Sequence, residues 1–143
     1  MIVSMRARQP TAAAGLVALL TSTGILHFAV PGQFDAIVPG QLPGSARTWT
    51  HLSGVAELAI AALIAAPRTR RLGGLLAALL FVVVFPANVK MAIDWSDRSA
   101  WMRALAYGRL PLQIPLVLWA VLVHRRAGVK PGSDTGNSVG PLL

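Results

Sequence analysis

Residues 49–66 read WTHLSGVAELAIAALIAA, and this segment constrains the architecture more than any other. As a helix it is about 27 Å long, close to the thickness of the hydrocarbon core of a bilayer. Its only formal charge is Glu57, near the middle. A charged side chain at the centre of a membrane helix costs about 2.5–3.5 kcal/mol. We therefore predict a membrane-spanning helix whose Glu57 faces partners inside a bundle.

The composition indicates a membrane protein. Hydrophobic residues make up 55% of the 143 residues and charged residues 13%, against about 25% charged in soluble domains. The net charge is +8, but the basic residues lie between apolar runs, which favours contact with the lipid bilayer and no nucleic acid. The chain has no cysteine, which excludes disulfides and thiol chemistry.

Three more apolar runs, 11–30, 72–92 and 110–123, predict an all-α fold, a four-transmembrane-helix antiparallel bundle. No small-residue cleavage site follows the first run, so we read it as an uncleaved span and not as a signal peptide. Pro86 should bend the third helix near its far end. The fourth run has only 14 residues and must recruit flanking residues to span.

The connections complete the predicted division of the chain. Residues 31–48 contain three Pro-Gly pairs, which predict a loop without regular helix that lies on the membrane or over the mouth of the bundle. Residues 93–108 predict a second polar connection, with a short surface helix at 96–106. We thus expect a cytoplasmic N-terminus at 1–10, a membrane domain at 11–126 and a disordered cytoplasmic tail at 127–143.

The positions of Lys and Arg predict the orientation. The N-terminus, the turn at 68–71 and the tail carry eight of the 13 basic residues. Since cytoplasmic loops are enriched in basic residues, both termini are predicted to be cytoplasmic. The predicted location is the bacterial inner membrane, with several passes.

Polar residues cluster in one half of the predicted bundle, which we call the outer half: the half that holds the C-terminal end of the first span and the N-terminal end of the second. Counting along each helix places a polar group from every span there. We predict that they line a ligand-binding pocket, although hydrogen bonds that merely hold the helices together would explain them too, and Lys90 would then reach to lipid head groups. The predicted pocket residues are His27, Glu57, Asn88, Lys90, Arg109 and Gln113.

Small residues accompany two of these polar groups. Gly24 lies on the face of His27, and Gly54 on the face of Glu57. Small residues let membrane helices approach closely, so both polar groups are expected on packing faces.

The sequence offers no complete catalytic or metal-binding set. His51 and Glu57 are six residues apart, which points them about 240° apart around a helix and argues against a metal site with His27. A catalytic triad, a phosphate loop and a haem motif are missing from the sequence. We assign no catalytic and no metal residue and expect no stand-alone enzyme.

Five short motifs follow one another along residues 15–125. They are His27-Phe28 with Pro31 and Phe34; Ile37-Val38-Pro39 with Leu42-Pro43; Ser53-Gly54 with Glu57; Phe85-Pro86-Ala87-Asn88 with Met91-Ala92; and Arg109-Leu110-Pro111-Leu112-Gln113 with Trp119-Ala120. Together they resemble the DoxX-like family of small four-helix membrane proteins. The resemblance implies a four-helix bundle. Some members look like subunits of quinone-linked sulfur or respiratory complexes or of oxidative-stress assemblies, and distant relatives act as membrane chaperones or cargo receptors.

Three functional hypotheses follow. The first is an accessory subunit of a redox system whose outward-facing pocket binds a quinone or a similar small amphiphile. The second is a non-catalytic assembly factor or scaffold, with a membrane protein or a second copy of the chain as partner. The third, a small-solute or proton transporter, fits less well because the polar residues stop short of the other half of the bundle.

Overall fold

Helices dominate the computed structural model, which describes residues 8–129 and contains no strand in that range. Four helical stretches are long and apolar enough to cross a bilayer. The predicted all-α, four-span architecture is therefore confirmed, and the chain is a multi-pass membrane protein by helix length and composition. The helices are α1 Arg8–Ala29, α2 Pro31–Asp35, α3 Ala46–Ala65, α4 Arg70–Val83, α5 Phe85–Asp94 and α6 Ala100–Ala127.

Most of the predicted N-terminal segment and of the predicted tail lies outside the described residues. Where they are described, the helices extend past the predicted borders, since α1 begins at Arg8 and α6 ends at Ala127. The cytoplasmic placement of both termini stays a prediction.

The connection between the first two spans is more ordered than predicted. The expectation of no regular helix in 31–48 is wrong, because Pro31 begins the short helix α2 and α3 already begins at Ala46. Proline suits a first helical turn, where its fixed φ is helical and its missing N–H is not needed. Ser45 caps α3 by accepting the backbone N–H of Thr48 at 3.2 Å. Pro31 and Gly32 open a helix, whereas the other two Pro-Gly pairs lie in the irregular stretch between α2 and α3.

The third span is interrupted where the sequence predicts a bend. Helix α4 ends at Val83, and α5 begins at Phe85 with Pro86 in its first turn. Proline lacks the N–H that would continue the ladder, so the helix breaks just before it.

The fourth span is a single helix, and the predicted separate surface helix at 96–106 is wrong. Helix α6 runs over 28 residues and contains Pro111 and Pro115 in its interior. Its first turns belong to the predicted polar connection, and they supply the length that the 14-residue apolar run lacks. Proline inside a membrane helix is tolerated where local adjustments or neighbouring groups satisfy the freed carbonyls.

The spans form a closed ring in which α1 packs on α3, α3 on α4, α4 on α6 and α6 on α1. Glycines bring neighbouring helices together. A Cβ on Gly54 would lie 2.8 Å from His27 Cβ and 3.2 Å from the Gly24 carbonyl oxygen. A Cβ on Gly74 would lie 2.6 Å from the backbone nitrogen of His124. The predicted packing faces around Gly24 and Gly54 are confirmed.

The half of the bundle opposite the outer half, which we call the inner half, holds the main apolar core. Leu16, Leu20 and Ile64 are fully buried there, against small residues of α4 and α6. Trp119 reaches across from α6 and donates its Nε1–H to the carbonyl oxygen of Ala12 at 3.0 Å. This bond ties the last span to the first.

Candidate functional site

A cavity of about 250 Å³ lies in the outer half, between all four spans. Five of the six predicted pocket residues line it: His27, Glu57, Asn88, Arg109 and Gln113. Its walls are otherwise largely apolar, with Leu19, Phe81, Val84, Leu112 and Leu116 among them. Whether these residues bind a ligand stays a prediction.

Lys90 is the one predicted pocket residue that does not line the cavity. Its Nζ donates to Asp94 and, at 3.3 Å, to the carbonyl oxygen of Ala36. Lys90 lies two residues after Asn88, which turns it about 200° around the helix. Because Asn88 faces the cavity, Lys90 points elsewhere.

His27 and Glu57 form the polar centre of the cavity wall on the α1 and α3 side. His27 is buried, and its Nδ1 donates to the carbonyl oxygen of Thr23 at 2.8 Å. The same nitrogen lies 3.7 Å from Glu57 Oε2, too far for a hydrogen bond. The close approach of α1 and α3 at Gly24 and Gly54 brings the two side chains this near.

Glu57 Oε2 has no hydrogen-bond partner. Among the described residues it is the only buried side-chain nitrogen or oxygen that lacks one. Leaving a buried polar atom unsatisfied costs about 1–3 kcal/mol, and more for a charged group. A buried polar atom that lacks a hydrogen bond in a native protein often belongs to a functional site.

Asn88 and Gln113 link α5 to α6 across the cavity. Asn88 donates its Nδ2–H to Gln113 Oε1 at 3.1 Å, and Gln113 donates its own amide to the carbonyl oxygen of Phe81. Phe81 lies four residues before Phe85, so its carbonyl is left without a helical partner where the third span breaks. Gln113 thus satisfies a carbonyl freed by the break, which is a structural role.

Arg109 contributes a half-buried positive charge to the cavity. Its Nη1 contacts Met91 Sδ at 3.6 Å, and no carboxylate of the described residues lies within ion-pair distance of it. Thioethers are weak acceptors, so most of the guanidinium N–H groups stay available.

The segment after α1 closes the cavity at the outer end. Phe34 stacks on the ring of His27 with ring centroids 3.8 Å apart, and Ile37 and Val38 complete the cover. Of the two predicted positions for this connection, the structure shows the one over the mouth of the bundle.

Asp35 fastens this cover to α3. One carboxylate oxygen accepts from Thr50 Oγ1 at 2.6 Å and the other from Arg47 Nε at 2.8 Å. The hydrogen bond from Thr50, followed by the bond and charge of Arg47, holds the pKa of Asp35 below its ordinary value. On the same side, Trp49 donates to the carbonyl oxygen of Pro43 at 2.7 Å.

Sequence reasoning missed the contribution of this cover to the site. Phe34, Ile37 and Val38 were visible as apolar residues in a Pro-Gly-rich connection, but their positions depend on the unpredicted helix α2. Thr23 and Ser53, which precede His27 and Glu57 by four residues and so share their helix faces, also line the cavity.

The outer half is open on one side at the level of the backbone. In the described chain, no Cα atom of α5 lies within 8 Å of a Cα atom of α1 or α3. Only side chains and the cover therefore separate the cavity from lipid between α3 and α5.

These features define a four-span membrane protein with a mixed polar and apolar cavity in one half of its bundle. A family model described as a domain of unknown function, DUF8561, matches residues 16–124. The chain therefore belongs to the DUF8561 family. No curated protein and no solved structure gives a significant match, and the resemblance to the DoxX-like family stays a prediction.

Proposed function

We propose that this protein is an accessory subunit of a quinone-linked membrane redox system, and that its cavity binds the head group of a quinone or a similar small amphiphile. The observation that carries the proposal is the convergence of His27, Glu57, Asn88, Arg109 and Gln113 on one cavity. Small-molecule sites combine apolar walls with a few converging polar groups in this way.

The polar groups differ in what they offer a ligand. The free N–H groups of Arg109 suit an oxygen that accepts hydrogen bonds, such as a ring carbonyl. The carboxylate of Glu57 suits a hydroxyl that donates. Since Nδ1 of His27 donates to the carbonyl oxygen of Thr23, its Nε2 is the ring nitrogen left to form a hydrogen bond with a ligand.

The surroundings favour an amphiphile over a water-soluble solute. A head group in the cavity would have lipid beside it at the gap between α3 and α5, where an attached tail can leave. The floor is the apolar core of the inner half, with Leu20 and Ile64 buried below. This floor gives a polar solute no route through the described bundle, which counts against the transporter hypothesis.

The proposal assigns binding and not catalysis to this chain. The cavity has an acid, a base and a cation but no nucleophile arranged against a base. Electron transfer would depend on a partner protein, in line with the quinone-linked complexes that the DoxX-like resemblance implies.

The test is binding of a short-chain benzoquinone, in its oxidised and reduced forms, to the purified full chain in detergent. Glu57→Gln and Arg109→Gln should each weaken binding about tenfold, as expected for loss of a charge-assisted hydrogen bond. Lys90→Gln is the matched control, because Lys90 has the same charge as Arg109 and lies outside the cavity. Wild-type affinity in folded Glu57→Gln and Arg109→Gln variants would contradict the proposal.

A second candidate function is a non-catalytic scaffold. The observation in its favour is the Asn88–Gln113–Phe81 chain of hydrogen bonds, in which two of the five cavity residues already satisfy each other. Crosslinking in native membranes separates the two functions. A stoichiometric protein partner, recovered equally with wild type and Glu57→Gln, together with no quinone binding, would favour the scaffold.

A further inference from the structure

A second concave region lies on the outside of the bundle in the inner half, and we call it the inner groove. It has a volume of about 480 Å³ and runs along α1 beside the C-terminal end of α3. Its walls are mostly small and apolar, with Thr21 as an added polar residue: Ala13, Ala14, Val17 and Ala18 of α1, with Ile64 and Ala65 of α3. At the end of the groove away from Ala13, the hydroxyl of Ser22 donates to the carbonyl oxygen of Ala18 and needs no external partner. The groove is therefore shaped for a hydrocarbon chain.

Arg70 stands at the membrane-surface end of the inner groove. Its Nε and Nη2 donate to the carbonyl oxygens of Ile64 and Ala65 at 2.8 and 3.2 Å, which fixes the position of the guanidinium. The Nη1 group has no partner in those bonds and is free for an anion. A preorganised guanidinium is well suited to bind phosphate.

Arg126 adds a second positive charge beside Arg70. Both line a narrow cleft of about 40 Å³ between α1 and the end of α6, and this cleft shares Ala13 with the inner groove. Two arginines from different spans thus border the same end of a hydrocarbon-shaped groove.

No carboxylate of the described residues competes for these arginines. The acidic residues in that range are Asp35, Glu57, Asp94 and Asp97, and all four belong to the outer half or its connections. Each ion pair found in residues 8–129 involves one of the first three. The positive charge at the inner end is therefore not neutralised by the described protein.

We propose that the inner groove is a binding site for one anionic phospholipid. An acyl chain lies along α1 between Ala13 and Ala18, and the phosphate sits between Arg70 and Arg126. This site is separate from the cavity of the outer half and does not depend on the proposed function.

The test compares phosphatidylglycerol with phosphatidylcholine of the same acyl chains, bound to the detergent-purified full chain and counted by native mass spectrometry. Phosphatidylglycerol should bind more tightly. Arg126→Gln should weaken the binding of phosphatidylglycerol about fivefold, because one arginine contributes about this much at an anionic membrane surface. Arg125→Gln is the control, because this neighbour has the same charge, is exposed and lines neither concave region.

A second pair of variants tests the acyl part of the site and does not rely on Arg126→Gln folding normally. Ala18→Leu fills the inner groove and should weaken phosphatidylglycerol binding, whereas Ala62→Leu adds the same volume on an exposed face of α3 outside it and should not. Equal losses within either pair, or equal binding of both lipids, would overturn the proposal. It would also fail if glycerol phosphate bound as tightly as the lipid, or if the groove were covered by a second copy of the chain.

Discussion

The two halves of this bundle solve the packing of four helices in opposite ways. In the inner half, glycine and alanine let the spans close on an apolar core with fully buried Leu16 and Ile64. In the outer half, the third span breaks at Val84 and its second segment stays apart from α1 and α3. Apart from the α1–α3 contact at Gly24 and Gly54, close packing is concentrated in the inner half, and the outer half encloses a cavity with an unsatisfied carboxylate oxygen.

The largest expected effect concerns close packing in the inner half. Gly74→Ala places a Cβ 2.6 Å from the backbone nitrogen of His124, which cannot move aside as a flexible side chain would. We expect the free energy of unfolding in mixed micelles to fall by about 1–3 kcal/mol. Gly108→Ala is the control, because nothing lies within 4 Å of the added atom. If the two variants were equally stable, the close packing at Gly74 would not contribute to the stability of the inner half.

The next effect concerns the helix break in the outer half. Gln113→Leu removes the donor to the carbonyl oxygen of Phe81 and also the acceptor for Asn88. We expect a loss of about 1–2 kcal/mol of unfolding free energy, because two polar groups lose partners. In a double-mutant cycle with Asn88→Ala, the two losses should not add. Strict additivity would show that the chain of hydrogen bonds is not formed.

A smaller effect concerns the pH dependence of the cover. Because the pKa of Asp35 is lowered in the folded protein, the bonds from Thr50 and Arg47 stabilise the cover above the ordinary pKa of a free aspartate. This stabilisation is lost as the pH falls through the lowered pKa. The protection factors of the backbone amides at residues 34–38, corrected for the intrinsic pH dependence of exchange, should therefore fall on acidification in the wild type and stay low at every pH in Asp35→Asn. A pH response retained in Asp35→Asn would locate the titrating group elsewhere.

The smallest expected effect on stability is that of Glu57→Gln. Oε2 of Glu57 makes no hydrogen bond in the protein. Replacing the carboxylate by an amide should therefore leave the free energy of unfolding unchanged or slightly higher. Residues kept for function often cost stability in this way. A clear destabilisation, measured beside the quinone-binding assay, would instead give Glu57 a structural role.

The spans and their contacts could be predicted because each depends on local pattern. Apolar run length gave four helices, and the spacing of Gly24 to His27 and of Gly54 to Glu57 gave the faces that meet. The convergence of His27 and Glu57 followed from counting residues along two antiparallel helices.

The rest depended on where helices begin, break and turn, which local pattern does not determine. The apolar run 110–123 did not show where the fourth span begins, because α6 begins at Ala100 and passes through Pro111. Lys90 and Asn88 were both predicted to line the pocket, yet the helix turns them to different sides. The role of Gln113 could not be foreseen, because it depends on a carbonyl that only the break before Phe85 leaves free.

The hydrogen bond from Trp119 to the carbonyl oxygen of Ala12 joins residues 107 positions apart in the chain. A ribosome that has made the first three helices has not yet produced the tryptophan that completes this contact. Synthesis proceeds at about 5–20 residues per second, so the first helix waits several seconds in the lipid for its last neighbour. During that interval its alanine-rich side must be covered by lipid or by the insertion machinery.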